Sequence, residues 1–141
     1  MKTNQVKFSS LKDSSYIWIL INQKRVRALV DTGAAVNCIS AKIANKLNLK
    51  VEQFKPGKIR NFYNASGGSL EAVGIAKIEY NLNGLIIPFD TVVLSNLSEA
   101  CIIGNNFLDA TSARIDYGTH TISFEEDLVV LHVTATHTKQ D

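Results

Sequence analysis

A carboxylate set between an apolar strand and a turn of small residues is the feature that most constrains this chain. Residues 29–40 read LVDTGAAVNCIS. Asp31 ends an apolar run, and a carboxylate is costly to bury without partners. Gly33 permits a sharp turn and a close backbone approach. Thr32 adds a hydroxyl and a backbone N–H beside the carboxylate, while Ala34 and Ala35 keep the space in front of it open. Such parts can hold an aspartate on the floor of a cleft with its outer oxygen free. Taken alone, Asp-Thr-Gly is a weak signal, because an aspartate at a strand end often serves only its own Asx-turn.

The surroundings read mostly as strand. Residues 16–21 are apolar, aromatic and β-branched. Asn22-Gln23-Lys24 is a polar turn, and Val26, Ala28 and Val30 then alternate with Arg25, Arg27 and Leu29 on the way to Asp31. Residues 36–39 suggest a further strand. Ser40 can cap a short helix over 41–49, with Ile43, Ala44 and Leu47 on one face. Segments 59–63 and 69–73 flank NASGG, a hairpin signal, and 75–80 alternate with Ala76, Ile78 and Tyr80 on one face. Asn83-Gly84 is a two-residue hairpin turn into a strand over 85–94, and Pro88 predicts an edge or a bulge there. A brief amphipathic helix over 105–110 follows Cys101-Ile102-Ile103-Gly104. Segments 113–117 and 121–124 pair across Gly118-Thr119, 129–133 is apolar, and the residues after it read as a loose tail. The pattern predicts an all-β, closed or barrel-like domain with one or two short helices.

Composition narrows the function classes. The 141 residues suit one domain, and 45% apolar with 20% charged residues describes a globular chain rather than a disordered one. A net charge of +2 without basic runs gives no reason to expect nucleic acid as a partner. The longest apolar run, 17–21, is too short to cross a bilayer as a helix, so no membrane partner is expected. The N-terminus has no apolar signal region, which makes a cytoplasmic location the expectation. Cys38 and Cys101 fit no metal spacing and His120, His132 and His137 are scattered, so no metal and no cofactor are expected.

ALVDTGAAVNCIS followed by AKIANKLNL resembles the active-site segment of the retroviral-type aspartic proteases, the retropepsins, in the flavour of the gypsy-type retrotransposons. CIIGNNFLDATSARID resembles the family's apolar-apolar-glycine segment with its helix, and NFYNASGGSLEAVG sits where the family carries its flap hairpin. The three elements stand in the family's order over residues 17–124. The resemblance implies a homodimeric acid-protease fold over 1–125, with 126–141 an extension or linker toward a neighbouring polyprotein segment. Many retroviral members carry an acidic residue two positions after the motif glycine and an arginine directly after the later glycine. Here those positions are Ala35 and Asn105, so both halves of that ion pair are absent together.

Aspartic-protease chemistry needs two carboxylates sharing one proton. Asp90, Asp109 and Asp116 lack the following Thr/Ser-Gly, so the second carboxylate must come from a second copy on a twofold axis. The resemblance implies that Asp31, Thr32 and Gly33 carry catalysis. It also implies that Ala34, Ala35, Cys38, Ala65, Ser66, Gly67, Gly68 and Ile102 meet an extended peptide substrate such as a retroelement Gag-Pol polyprotein, in the cytoplasm or in virus-like particles. Two other readings keep the same fold: a catalytically silent dimerisation or peptide-binding module, and a retropepsin domain of a cellular ubiquitin-shuttle protein.

Overall fold

Three two-residue hairpins organise the sheet. β1 (Lys2–Leu11), β2 (Ser14–Ile21) and β3 (Lys24–Val30) are joined at Lys12-Asp13 and Asn22-Gln23, and β7 (Ser69–Leu82) and β8 (Leu85–Leu94) at Asn83-Gly84. Both residues of each turn have positive φ, from 50° at Lys12 and Asn22 to 99° at Gly84. This is the turn geometry whose twist matches that of the flanking strands. The computed structural model describes residues 2–55, 60–63 and 69–126.

The remaining elements are β4 (Cys38–Ser40), α1 (Ala41–Lys46), β5 (Glu52–Gln53), β6 (Arg60–Tyr63), β9 (Cys101–Ile103), α2 (Asn105–Ala110), β10 (Arg114–Asp116) and β11 (Thr121–Glu126). The described strands run in one sheet in the order β10-β11-β1-β2-β3-β9-β4-β8-β7-β5, with β6 on β7. A further pair, Leu20 with Asn81, joins β2 to β7. The path from β2 through β3, β9, β4, β8 and β7 therefore returns on itself as a ring, and the all-β class with two short helices is as the sequence predicts.

The core lies inside that ring. Ile17, Ile19 and Ile21 of β2 and Val26, Ala28 and Val30 of β3 are buried, as are Ala76, Ile78 and Tyr80 of β7. Phe107 of α2 is fully buried, with its ring centroid 5.0 Å from Tyr80, 4.9 Å from Phe89 and 6.0 Å from Phe124. Aromatic contacts at such spacings add about 0.5–1.5 kcal/mol each beyond area burial.

Five elements differ from the sequence-based expectation, the two-residue β5 not being anticipated at all. β1 is a full strand although its first residues are polar, because pairing decides it. Lys2–Lys7 lie against β11 and Phe8–Leu11 against β2, with only Val6 and Phe8 buried. The strand expected over 36–39 is shorter and later, at Cys38–Ser40, since Val36 and Asn37 belong to the turn. The helix expected over 41–49 stops at Lys46, where Asn48 takes φ 57° and Leu49 N–H closes back on the Ala44 carbonyl at 3.0 Å. The two strands expected around Gly74 are one, β7, with a register shift between Ala72 and Gly74 that absorbs the extra residue as a bulge.

Pro88 pairs with Glu79 of β7, and on its other side the short β4 reaches only Val92–Leu94 of β8. That is the local edge its missing N–H demands. The apolar segment 129–133, the tail and most of the extension proposed over 126–141 lie outside the described residues, β11 ending at Glu126.

Candidate active site

Val30 closes β3 with its side chain in the core, so Asp31 emerges on the opposite, outer face of the sheet. Asp31 N–H donates to the Ile103 carbonyl at 3.0 Å, which extends the parallel ladder between β3 and β9 by one step. The chain then turns sharply. Ala34 N–H donates to the Asp31 carbonyl at 3.1 Å, and Gly33 N–H donates to Asp31 Oδ1 at 2.9 Å. The carboxylate is half-exposed, with one oxygen held by its own loop, and Thr32 and Gly33 stand exposed beside it.

α2 holds the loop from behind. Asn105 N–H donates to the Ala34 carbonyl at 2.7 Å and Asn106 N–H to the Ala35 carbonyl at 3.0 Å. These bonds engage the first backbone donors of the helix, which have no partners within it. They join the two segments that carry Ala35 and Asn105, the positions where the resemblance leads one to expect an ion pair.

Asn37, which sequence reasoning passed over, is the buried link between these segments. It is fully buried, and its Oδ1 accepts the Gly104 N–H at 2.7 Å. Its Nδ2 has no partner among the described residues. The only sequence signal was a lone polar side chain between Val36 and Cys38. Asn37→Ala is expected to leave the Gly104 N–H buried and unsatisfied, at a cost of about 1–3 kcal/mol. Urea unfolding of both proteins checks this, and an unchanged midpoint would remove Asn37 from the account.

One row of side chains crosses the outer face at the level of Leu29, two residues before Asp31 on the chain. Strand register sets Tyr16 opposite Leu29, Leu29 opposite Ile102, and Ile102 opposite Cys38. Cys38 packs with Leu70, Ala72 and Leu94 in a second apolar cluster, to which Val36, Val92 and Ile102 also belong. Leu70 and Ala72 come from the hairpin of β6 and β7, whose register pairs Arg60–Tyr63 with Ser69–Ala72. Of the sequence-predicted site residues, Asp31, Thr32, Gly33, Ala34 and Ala35 form one turn, and Cys38 and Ile102 are neighbours on the adjoining strands. Ala65, Ser66, Gly67 and Gly68 lie outside the described residues.

Burial pushes the Cys38 thiol up to about 11, and the nearby Asp31 charge adds to the shift. Burial likewise takes Cys101 to about 12, with Cys38 contributing, and raises the Tyr80 phenol well above its usual value. Both thiols ionise more readily in the unfolded chain, so their contribution to stability is complete below about pH 9 and is lost as pH rises toward 11–12, and the raised Tyr80 phenol acts in the same direction. Stability measured by urea titration is expected to decline above about pH 9, and to decline less in Cys101→Ala. A flat profile to about pH 10.5 in the parent chain would contradict the assignment.

Residues 17–110 match the family model described as "gag-polyprotein putative aspartyl protease". The chain belongs to the gag-polyprotein aspartyl protease family. No curated protein matches the chain. Among solved structures, the retroviral protease-like domain of Ddi1 from Leishmania major is 24% identical with a TM-score of 0.63, covering 79% of this chain and 88% of that one. The EIAV protease in complex with the inhibitor HBY-793 is 20% identical with a TM-score of 0.59, covering 77% and 97%. A retropepsin-like aspartic protease from Rickettsia conorii is 17% identical with a TM-score of 0.55, covering 87% and 91%. At these identities the structures show a shared retropepsin fold. The family match contains both the Asp31 turn and the Gly104 segment that Asn37 ties together.

Proposed function

We propose that the chain is half of an aspartic endopeptidase, completed by a second copy, and that it processes a retroelement Gag-Pol polyprotein in the cytoplasm or inside particles assembled there. The observation that carries the reading is the Asp31 turn itself. It presents a carboxylate at a strand end, half-exposed, with Oδ1 fixed by Gly33 N–H. One such carboxylate cannot act as both base and acid. Two of them meeting on a twofold axis share one proton: the ionised member takes a proton from water, and the protonated member donates to the scissile carbonyl and then to the leaving amine.

The surface beside the turn suits a second copy. Thr32, Asn105, Leu108 and Ile115 border an open recess of about 340 Å³ next to the motif. In this reading Thr32 locks the paired loops across the axis, and Gly33, Ala34 and Ala35 border the substrate backbone. Ala65, Ser66, Gly67 and Gly68 form a flap tip over the peptide, and Cys38 and Ile102 line its side-chain pockets. Peptide added as an extended strand draws affinity from main-chain bonds and specificity from alternate pockets.

The likeness to the Ddi1 domain favours a second reading, a cellular retropepsin domain with the same chemistry and a different substrate. Assaying the chain within its own flanking sequence separates the two, since self-release at defined junctions supports the polyprotein role. A silent module of the same fold is excluded by any cleavage that depends on Asp31. The shared-site reading predicts that specific activity on a cleavable peptide falls as the protein is diluted through its dimer dissociation constant. Activity per milligram that stays constant well below that point would overturn it.

A further inference from the structure

The outer face that carries Asp31 does not end at the apolar row. On β3 the outward positions continue from Leu29 to Arg27 and Arg25, and on β2 from Tyr16 to Trp18 and Leu20, while the residues between them are buried. Register places Trp18 opposite Arg27 and Leu20 opposite Arg25. The cations lie diagonally over the rings, with Arg27 Cζ 4.6 Å from the Tyr16 centroid and Arg25 Cζ 4.3 Å from that of Trp18. Trp18 is nevertheless 50% exposed and Leu20 36% exposed. Beyond Trp18, β1 has left β2 to pair with β11, and the fork between them is an open recess of about 520 Å³ lined by Lys7, Trp18, Leu20 and Arg25 among others.

A large indole left half in water among three cations is an unusual use of a surface strand, since tryptophan and arginine are the residues most enriched where proteins bind one another. Two carboxylates border the face. Glu99 is engaged by the Tyr16 hydroxyl at 3.1 Å, and Glu79 lies beyond Leu20. Lys7, Arg25 and Arg27 therefore dominate its centre. At about 3.3 Å per residue, Arg27 stands roughly 13 Å and Arg25 roughly 20 Å along the strand from Asp31. An extended peptide has the same rise.

We propose that this face is an exosite, taking an acidic, apolar segment of the peptide substrate that lies about four to six or more residues from the scissile bond. The proposal rests on the protease reading for its substrate. Its basis is charge complementarity and the continuity of the outward positions along β3, from Arg25 through Arg27 and Leu29 to Asp31. Carboxylates of the segment meet Arg25, Arg27 and Lys7, and its apolar side chains cover Trp18 and Leu20. Such a contact adds specificity and speeds encounter more than it adds affinity.

Trp18 is the single tryptophan of the chain, so its fluorescence reports on this face directly. Asp31→Asn protein, which cannot consume the probe, is titrated with a peptide of about twelve residues alternating Asp or Glu with Leu and lacking Trp. A saturable change is expected. It should weaken with added salt, be absent with the lysine counterpart of the peptide, and be about tenfold weaker in an Arg25→Ser, Arg27→Ser background. No saturable change, or equal binding of the lysine peptide, overturns the proposal. A second arm uses the unaltered protein and a short peptide that it cleaves, with and without an acidic extension beyond the fourth position from the bond. A several-fold rise in kcat/KM, carried by KM, is expected. Equal cleavage of both peptides overturns the exosite and leaves the protease reading standing. If a peptide library yields no peptide that the protein cleaves, the protease reading fails, and the fluorescence titration alone decides whether the face takes acidic peptide.

Discussion

Asp31→Asn is expected to abolish peptide hydrolysis, by roughly four orders of magnitude in kcat/KM, while leaving the fold unchanged. The substitution is nearly isosteric. An asparagine Oδ1 still accepts the Gly33 N–H that the carboxylate accepts at 2.9 Å, so the turn keeps its internal bond. What disappears is the charge that takes a proton from water. In the paired state the change also removes repulsion between like charges on the axis, so association of the two copies should be no weaker. The measurements are kcat/KM on a cleavable peptide, far-ultraviolet circular dichroism, and molecular mass in solution. Activity near that of the parent protein would eliminate the shared-carboxylate mechanism. A collapsed circular dichroism signal would mean instead that Asp31 holds the turn together.

Gly104→Val is expected to destabilise the protein by about 3–5 kcal/mol, enough to lower Tm by roughly 10–15 °C in a domain of this size. A Cβ at position 104 would sit 2.5 Å from the Val36 carbonyl carbon and 2.9 Å from the Val36 nitrogen, closer than real Cβ contacts come. Both neighbours are backbone, so no rotamer change relieves the clash. Gly104 N–H is bound to Asn37 Oδ1 on one side, and Asn105 N–H to the Ala34 carbonyl on the other. The strain therefore passes straight into the turn that carries Asp31. Differential scanning calorimetry gives the loss. A Tm within a few degrees of the parent would show that the two segments can separate by the required distance without cost.

These two substitutions fall on residues that sequence reading treated very differently. Asp31 was legible because a carboxylate set between an apolar strand and a Thr32-Gly33 turn stands out, and the strand before it alternates cleanly. Gly104 was legible only through the family likeness of Ile102-Ile103-Gly104, since nothing in one sequence says that a glycine some seventy positions away touches Val36. Asn37 was not legible at all. A single asparagine among apolar residues reads as a turn or an edge, and its role exists only because β9 is inserted between β3 and β4. Pairing also decided β1, where two buried apolar residues among polar ones are too weak a periodic signal to read as a strand.

Local chemistry along the chain determined the strand class, the hairpin turn at Asn83-Gly84, the second helix over Asn105–Ala110, and the carboxylate at the end of β3. Alternation, turn residues and the residue type of a reactive group are all short-range properties, written within about ten residues of one another. Which strands lie side by side is not. The parallel pairing of β3 with β9, the row from Tyr16 to Cys38, and the half-exposed Trp18 under Arg25 each join segments that are separated in the chain or that could have faced either side. Only the closing of the ring chose among those partners. A strand buries its apolar face against whatever long-range neighbour fits, and that choice is made by the whole core at once.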